Sequence, residues 1–321
     1  MLDSLARLKA DLKRVGKPRE VEGILDRYLI RPCGYVVARW LTPSWVSPNL
    51  LSLLALAFGW LAAYCLFETA RLGNLPVYSG LAALSMVLHS AFDSADGQLA
   101  RARGTTSEFG RILDGICDYL SFAAIYLAIG LGLGVRAGTG MTPFVLSAVA
   151  AGLSHGLQCA VVENQRNLYR HYVHGTELPF DPSESDTGVQ NESDTGFLGL
   201  MHGAYSKLQM IFGGSSVRLW RMVHGWQQSH PNDSDRIVGL IVANNMKRLP
   251  LWALLAPNSH KVGMIVGAFV PVGSSTVFGE LGLFWYFLYV LVGLNLLLIV
   301  MIFTQSLVDR RTWIAILESP R

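Results

Sequence analysis

Charged side chains are scarce in this sequence: Asp, Glu, Lys and Arg make up 15% of the 321 residues, whereas hydrophobic residues make up 51%. This balance excludes an ordinary soluble domain and predicts an all-α polytopic membrane protein. The 4 cysteines are scattered and contain no CxxC pair, which argues against both a zinc site and a disulfide framework. The 8 histidines show no metal-ligand spacing. No cleavable signal peptide is apparent before the first apolar run.

Acidic residues are concentrated in one stretch of the chain. Asp93 and Asp96 lie three residues apart, and Asp114 and Asp118 lie four apart. On a helix, both spacings place the two members of a pair on one face, one turn from each other. The segment 104–107 interrupts the pattern with Gly, Thr and Ser, so we expect two helices joined by a turn.

The two predicted helices bring the acidic pairs together in layers. Thr105 followed by Glu108 is a capping-box pattern, which predicts that the second helix starts there. Counted outward from the turn, Asp96 and Asp114 both lie roughly 13–14 Å from it on adjacent antiparallel helices. The other two aspartates lie together about one turn deeper.

The clustered carboxylates predict a metal site. Four carboxylates in one place repel one another, and bound divalent cations remove that repulsion. An all-carboxylate shell suits Mg²⁺ or Mn²⁺ rather than zinc. Nearer the turn, small residues leave a slot for a flat group to approach the backbone: Gly97, Ala100 and Gly110. Cationic donors suited to phosphate flank this slot: Arg101, Arg103 and Arg111.

The stretch reads Asp-x2-Asp-Gly-x2-Ala-Arg-x8-Gly-x3-Asp-x3-Asp and resembles, without a departure, the signature of the CDP-alcohol phosphotransferase (CDP-alcohol phosphatidyltransferase) family. The resemblance implies transfer of a substituted phosphate group from a CDP-linked donor to an alcohol hydroxyl, with release of CMP, in phospholipid synthesis. It also implies two Mg²⁺ (or Mn²⁺) ions, with Asp93, Asp96 and Asp114 as ligands. Asp118 is then the general base and also contacts metal.

The resemblance further implies a nucleotide site. The residues expected at cytidine and its phosphates are Gly97, Ala100, Arg101, Ser107 and Gly110. Pro48, Asn49 and Ser52 resemble the family's start of the first membrane helix, which contributes to the same site, although this pattern is also an ordinary helix start. The candidates for acceptor contact are Arg103, Arg111, Arg166 and Arg170. Arginines at the inner face of a membrane need no ligand, so this last assignment stays open.

Apolar segments predict six membrane helices, each near the ~20 residues needed to cross the hydrocarbon. They run near 46–68, 78–103, 108–134, 142–165, 249–272 and 281–307, with prolines interrupting the fifth. Four domains are predicted. A basic, amphipathic interfacial segment (1–45) precedes membrane helices one to four (46–165), which include the active-site hairpin 78–134. A cytoplasmic insert with an acidic loop and interfacial helices (166–248) follows, and the last two membrane helices with a cytoplasmic tail (249–321) complete the chain.

Positive residues orient the predicted helices. The short external loops hold only Arg71 and Arg136, and the remaining Lys and Arg fall on the inside. Both termini and the hairpin turn are then cytoplasmic, so we expect a multi-pass integral membrane protein with a cytoplasmic active site, in the inner membrane if the chain is bacterial. The resemblance implies a homodimer, and no nucleic-acid partner is expected.

Several alternatives remain at this point. An aromatic prenyltransferase would need a second acidic motif, and nothing resembling one follows residue 118. An ion-coupled transporter would predict internal repeats with paired broken helices, and the spans show no such repeat. Within the family, the favoured reaction is phosphatidyl transfer from CDP-diacylglycerol to a small polar alcohol of the inositol type. The alternative is a CDP-linked polar alcohol with a lipid hydroxyl acceptor such as diacylglycerol or ceramide.

Overall fold

The structure is a computed structural model and describes residues 21–73, 75–138, 140–175, 178, 214–269 and 282–318. Regular structure in these ranges is helical throughout. The α-helices are α1 (Arg31–Leu41), α2 (Pro48–Leu72), α3 (Pro76–Arg103), α4 (Glu108–Ala137), α5 (Thr142–His174), α6 (Gly214–Ser229), α7 (Ser234–Asn245), α8 (Leu249–Trp252), α9 (Pro257–Phe269), α10 (Gly282–Leu288) and α11 (Asn295–Glu318). Single π-helical segments precede α1 (Asp26–Ile30) and join α10 to α11 (Tyr289–Leu294).

The chain divides into two units. The first unit comprises Met1–His155 and Pro257–Gly293, and the second comprises Gly156–Ala256 and Leu294–Arg321. The predicted active-site hairpin lies entirely in the first unit.

Four helical segments of the described chain are long and apolar enough to cross a membrane: α2, α4, α5 and the continuous segment Gly282–Glu318. The protein is therefore an integral membrane protein. Six spans are not confirmed. The second predicted span is a single helix, α3, which contains polar residues of the acidic motif and is not among these four segments. The fifth is divided among α8, a 3₁₀ turn at Ala253–Leu255 and α9, because Pro257 lacks an N–H with which to continue the preceding helix.

The turn between α3 and α4 joins the two halves of the acidic motif. Gly104 has a left-handed backbone with φ of 67°, the conformation that glycine favours. Its N–H donates to the Arg101 carbonyl at 3.3 Å, and the Thr105 N–H donates to the Ala100 carbonyl at 2.9 Å. These two bonds form a Schellman motif that ends α3.

The predicted capping box at Thr105 is therefore wrong, because Thr105 belongs to the end of α3. The N-cap of α4 is Ser107, whose Oγ accepts a hydrogen bond from the Gly110 N–H at 3.0 Å. Helix α4 begins at Glu108, which keeps the turn short, and α3 and α4 both pack against α2.

Small residues let the helices of the first unit approach closely. Helix α2 packs along both α3 and α4, and α1 packs along α3. A Cβ at Gly59 of α2 would clash with Ser121 of α4, and one at Gly132 of α4 would clash with the Phe67 carbonyl of α2. The backbones of α2 and α4 are thus near contact, which holds the hairpin firmly against α2.

In the second unit, α6 and α7 pack on α11. Their buried core consists of Leu219, Val223, Ile237, Ile241 and Ile316. Helix α11 continues to Glu318, whereas the sequence predicted a tail after residue 307. The predicted acidic loop (181–196) and the first part of the predicted interfacial helices (197–213) lie outside the described residues.

Candidate active site

The four aspartates of the motif meet between α3 and α4 in two layers. The side chains of Asp96 and Asp114 lie close enough to interact, and so do those of Asp93 and Asp118. Asp114 also interacts electrostatically with the other three. The predicted pairing of the carboxylates is therefore confirmed.

Asp96 is the most firmly held of the four. It is 5% exposed, and its Oδ2 accepts a hydrogen bond from Ser52 Oγ at 2.5 Å. Its Oδ1 accepts from the Gly97 N–H. Ser52 was predicted to contact nucleotide, but the structure places its hydroxyl on Asp96. We therefore interpret it as a residue that orients this carboxylate.

The cluster fits a divalent cation. The carboxylates of Asp93, Asp96, Asp114 and Asp118 lie close enough to repel one another. Asp118 Oδ1 is buried and has no hydrogen-bond partner in the described part of the chain. Carboxylate oxygens are the ligands preferred by Mg²⁺ and Mn²⁺. All four side chains supply this kind of ligand atom, so together they can hold such ions.

The predicted nucleotide slot lies nearer the turn. A Cβ at Gly110 would come within 3.3 Å of Asn49 Oδ1 and 3.1 Å of Ser107 Oγ, so these three residues adjoin one another. A Cβ at Gly97 would come within 3.1 Å of Arg101 Nη1. Polar side chains therefore adjoin both glycines, and a side chain at either position would be crowded by them.

Pro48 and Ala100 complete the set predicted for the nucleotide. Pro48 is the first residue of α2, and Ser47 caps that helix by accepting from the Leu50 N–H at 3.3 Å. Ala100 lies on α3 and accepts the Thr105 N–H bond described above. Helix capping accounts for Ser47 and Pro48 without a ligand, whereas Asn49 adjoins Gly110 in the slot.

Arg103 has a structural role that the sequence did not predict. Its guanidinium donates to the carbonyls of Thr42 at 3.2 Å, Val46 at 2.6 Å and Ser44 at 2.7 Å, and also to that of Leu41. An arginine has five N–H donors, and these four carbonyls use most of them. The arrangement argues against Arg103 as an acceptor ligand and makes it a clamp between the end of α3 and the segment before α2.

The other three arginines predicted at the acceptor form ion pairs. Arg111 lies 3.7 Å from Glu108 on the exposed start of α4. Arg166 and Arg170 belong to the second unit, where they lie 3.8 Å and 2.5 Å from Glu163. Their roles toward an acceptor stay a prediction.

Two buried residues next to Asp118 were missed by sequence reasoning. His89 Nε2 lies 3.5 Å from Asp118 Oδ1. Lys261 of α9 interacts electrostatically with Asp118, donates to Ser90 Oγ at 2.8 Å and lies 5.4 Å above the Phe122 ring. A signal existed for each: His89 stands one helical turn before Asp93, and Lys261 is a lone cation in an apolar run, which is a functional candidate by default.

Comparison with known families agrees with this geometry. Residues 45–180 match the family model described as CDP-alcohol phosphatidyltransferase. The matched segment contains α2, α3, α4 and the whole acidic motif. Residues 45–180 are therefore similar to the CDP-alcohol phosphatidyltransferase family, and the resemblance drawn from the motif is confirmed. Members of this family are transferases that generally depend on a divalent metal.

Named relatives are similar over part of their length. The chain is 33% identical to cholinephosphotransferase 1 of Bos taurus over 107 residues, which is 32% of this chain and 25% of that protein. It is 30% identical to phosphatidylinositol phosphate synthase of Mycobacteroides abscessus over 111 residues, which is 34% of this chain and 46% of that protein. It is 34% identical to archaetidylinositol phosphate synthase of Pyrococcus horikoshii over 91 residues, which is 28% of this chain and 44% of that protein. The chain thus spans a quarter to under half of the length of these relatives.

Proposed function

We propose that this protein transfers a substituted phosphate group from a CDP-linked donor to an alcohol hydroxyl, releasing CMP, in phospholipid synthesis. The observation that carries the proposal is the meeting of Asp93, Asp96, Asp114 and Asp118 between two helices of a membrane protein. Ionisable groups within membrane helices are costly and are functional by default. The agreement of these four positions with the family motif supports this choice of chemistry.

Each side chain of the cluster has a role in this proposal. Asp93, Asp96 and Asp114 hold two divalent ions, Mg²⁺ or Mn²⁺, and Asp118 also contacts metal. When bound, the ions neutralise the pyrophosphate and stabilise the charge that develops on the CMP leaving group. Ser52 keeps the Asp96 carboxylate in position through its 2.5 Å hydrogen bond.

The residues around the slot bind the CDP group. Gly97, Ala100 and Gly110 let the flat cytosine ring approach the backbone of α3 and α4. Arg101 and Ser107 contact the phosphates, and Asn49 adds a polar contact beside Gly110. Their neighbouring positions in the structure support this assignment.

Asp118 acts as the general base. Its carboxylate takes the proton from the acceptor hydroxyl, whose oxygen then bonds to the phosphorus distal to cytidine. The bond from that phosphorus to the bridging oxygen of CMP breaks, and CMP leaves with the electron pair. A positioned base typically contributes ~10²–10⁴ in rate.

We favour CDP-diacylglycerol as donor and a small polar alcohol of the inositol type as acceptor. Two relatives whose names specify inositol phosphate products support this choice. Arg111, Arg166 and Arg170 remain as candidates for acceptor contact, whereas the carbonyl bonds of Arg103 count against it. The similarity to cholinephosphotransferase 1 favours the alternative, in which a CDP-linked polar alcohol donates to diacylglycerol or ceramide.

In the membrane arrangement that we propose, α3 and α9 also lie at membrane depth. This gives six spans, a cytoplasmic hairpin turn and a cytoplasmic active site, with residues 1–45 on the membrane surface and the insert 166–248 in the cytoplasm. The buried position of Lys261 on α9, bonded to Ser90 of α3, supports placing α9 beside α3. We also propose a homodimer, by analogy with the family.

The first experiment measures CMP. Purified protein is incubated with Mg²⁺, CDP-diacylglycerol and, one at a time, inositol, inositol phosphate, glycerol phosphate and serine. Acceptor-dependent release of CMP supports phosphatidyl transfer and identifies the alcohol. Release only with CDP-choline or CDP-ethanolamine plus diacylglycerol or ceramide supports the alternative. The absence of CMP in both sets contradicts the proposed function and leaves the ion-coupled transporter as the reading to test.

A further inference from the structure

His89 is held so that one ring nitrogen faces the carboxylate cluster. The side chain is 1% exposed, and its Nδ1 lies 3.0 Å from the Ala55 carbonyl oxygen of α2. A carbonyl only accepts hydrogen bonds, so Nδ1 carries the proton. In the neutral imidazole, Nε2 is then a bare lone pair.

This lone pair faces a carboxylate oxygen that also has no partner. Nε2 lies 3.5 Å from Asp118 Oδ1, and both atoms are buried without a hydrogen-bond partner in the ranges that the structure describes. Two buried lone pairs in this arrangement repel each other unless a proton or a cation lies between them. The separation exceeds the 2.7–3.2 Å typical of an N–H···O hydrogen bond.

The distance between these two atoms matches shared ligation of one cation. Two ligands of one metal at bonds of about 2.1 Å lie about 3.0–3.4 Å apart, which is close to the observed separation of 3.5 Å.

From this geometry we infer that His89 Nε2 is a ligand of the divalent cation at Asp93 and Asp118. The inference rests on the proposed function and adds a nitrogen donor to a site otherwise built from carboxylates. Imidazole binds Mn²⁺ more favourably than Mg²⁺, since affinity for nitrogen ligands rises along the first-row metals and Mg²⁺ prefers oxygen. The Ala55 carbonyl acts as the outer partner that fixes the tautomer, as is usual for metal-binding histidines.

The test uses Mn²⁺ as the probe of the full-length protein. Metal is removed with a chelator, two equivalents of Mn²⁺ are added, and electron spin echo modulation is recorded. A bound imidazole gives ¹⁴N modulation, and protein grown with ¹⁵N-histidine shows the corresponding ¹⁵N pattern instead. This comparison uses only the wild-type sequence, so it does not depend on any variant folding.

Two variants identify the histidine. His89→Gln removes the nitrogen modulation and weakens Mn²⁺ binding by about tenfold or more, with a smaller loss for Mg²⁺. His174→Gln is the matched control, because His174 is an exposed residue at the end of α5, and it leaves the modulation and both affinities unchanged.

The outcomes separate this inference from the proposed function. If Mn²⁺ binds without nitrogen modulation, or if His89→Gln keeps it, the role of His89 is overturned and the carboxylate site stands. If no Mn²⁺ binds to the wild-type protein, the proposed metal site fails and the role of His89 fails with it. Nitrogen modulation that disappears only in His89→Gln establishes the ligand.

Discussion

Among single residues, Asp96 and Asp118 occupy different surroundings within one cluster. Asp96 is buried and accepts bonds from Ser52 and from its own helix, whereas Asp118 Oδ1 faces His89 and has no hydrogen-bond partner in the described part of the chain. A carboxylate fixed by two donors suits a metal ligand alone, and a carboxylate with fewer donors suits a ligand that also takes a proton. The structure therefore favours separate effects of substituting these two residues.

We expect Asp118→Asn to lower the rate of CMP release by about 10²–10⁴ while CDP-substrate binding is largely retained. Asp96→Asn should weaken metal binding as well as turnover. Isothermal titration of Mg²⁺ and of the CDP-linked substrate, alongside the CMP assay, distinguishes the two. Asp235→Asn on the exposed start of α7 is the matched control. Full activity in Asp118→Asn would rule out the general base.

Ser52→Ala removes the hydroxyl that donates to Asp96. Because outer partners of metal ligands typically contribute 10–100-fold to metal affinity, we expect a loss of about that size for Mg²⁺. Ser147→Ala is the control, since the Ser147 hydroxyl donates an exposed hydrogen bond to the Pro143 carbonyl of its own helix. If Mg²⁺ affinity is unchanged and the KM for the CDP-linked substrate rises instead, Ser52 contacts nucleotide.

For whole helices, the hairpin is held by the close approach of α2 and α4. A side chain at position 59 would collide with Ser121, so Gly59→Val should lower the free energy of unfolding by about 1–3 kcal/mol. Thermal unfolding of the purified protein measures this as a lower Tm. Ser121→Gly in the same chain should restore part of the loss, and Gly80→Ala, which meets open space, should have little effect. An unchanged Tm for Gly59→Val would contradict the close approach.

The Arg103 clamp makes a second prediction about helices. Arg103→Gln leaves backbone carbonyls before α2 without their donor, and we expect a loss of at least about 2 kcal/mol in stability. The KM for the acceptor should stay near that of the wild type. Arg111→Gln, at an exposed ion pair, should change stability little. A normal Tm with a raised acceptor KM in Arg103→Gln would contradict the clamp and support Arg103 as an acceptor ligand.

For the whole molecule, the number of membrane spans determines which loops lie on the same side of the membrane. Six spans place Thr106 and Glu318 on one side of the membrane and Met141 on the other. With only the four apolar segments spanning, Glu318 and Met141 share a side and Thr106 lies opposite. Single cysteines at these three positions, in a chain without its native cysteines, can be labelled in intact cells with a membrane-impermeant maleimide. We expect labelling of Met141→Cys alone before permeabilisation.

The periodicity of the sequence was sufficient to predict the core of the site. Aspartates three and four residues apart lie on one helical face, and a glycine turn folds the two faces together, so the layers of Asp96 with Asp114 and Asp93 with Asp118 follow from spacing alone. The start of α4 was mispredicted because the Schellman bonds at Gly104 and Thr105 compete with the capping box.

Other features depend on contacts between residues far apart in sequence. Helix α11 extends to Glu318 because the buried Asp309 accepts bonds from Ser215 and Ser216 of α6 at 2.8 Å. The tautomer of the buried His89 is set by the Ala55 carbonyl, 34 residues earlier in the chain. No local pattern encodes such contacts, so the sequence could indicate neither.

The contact between Gly59 and Ser121 also limits how this chain can diverge. The two positions share one small volume, since a Cβ at residue 59 would overlap the Ser121 side chain. A side chain is accommodated at position 59 only after Ser121 has been replaced by a smaller residue, so the order of the two changes matters. Positions 59 and 121 therefore evolve as a linked pair, and the sequences open to this protein by single steps are fewer than either position alone would permit.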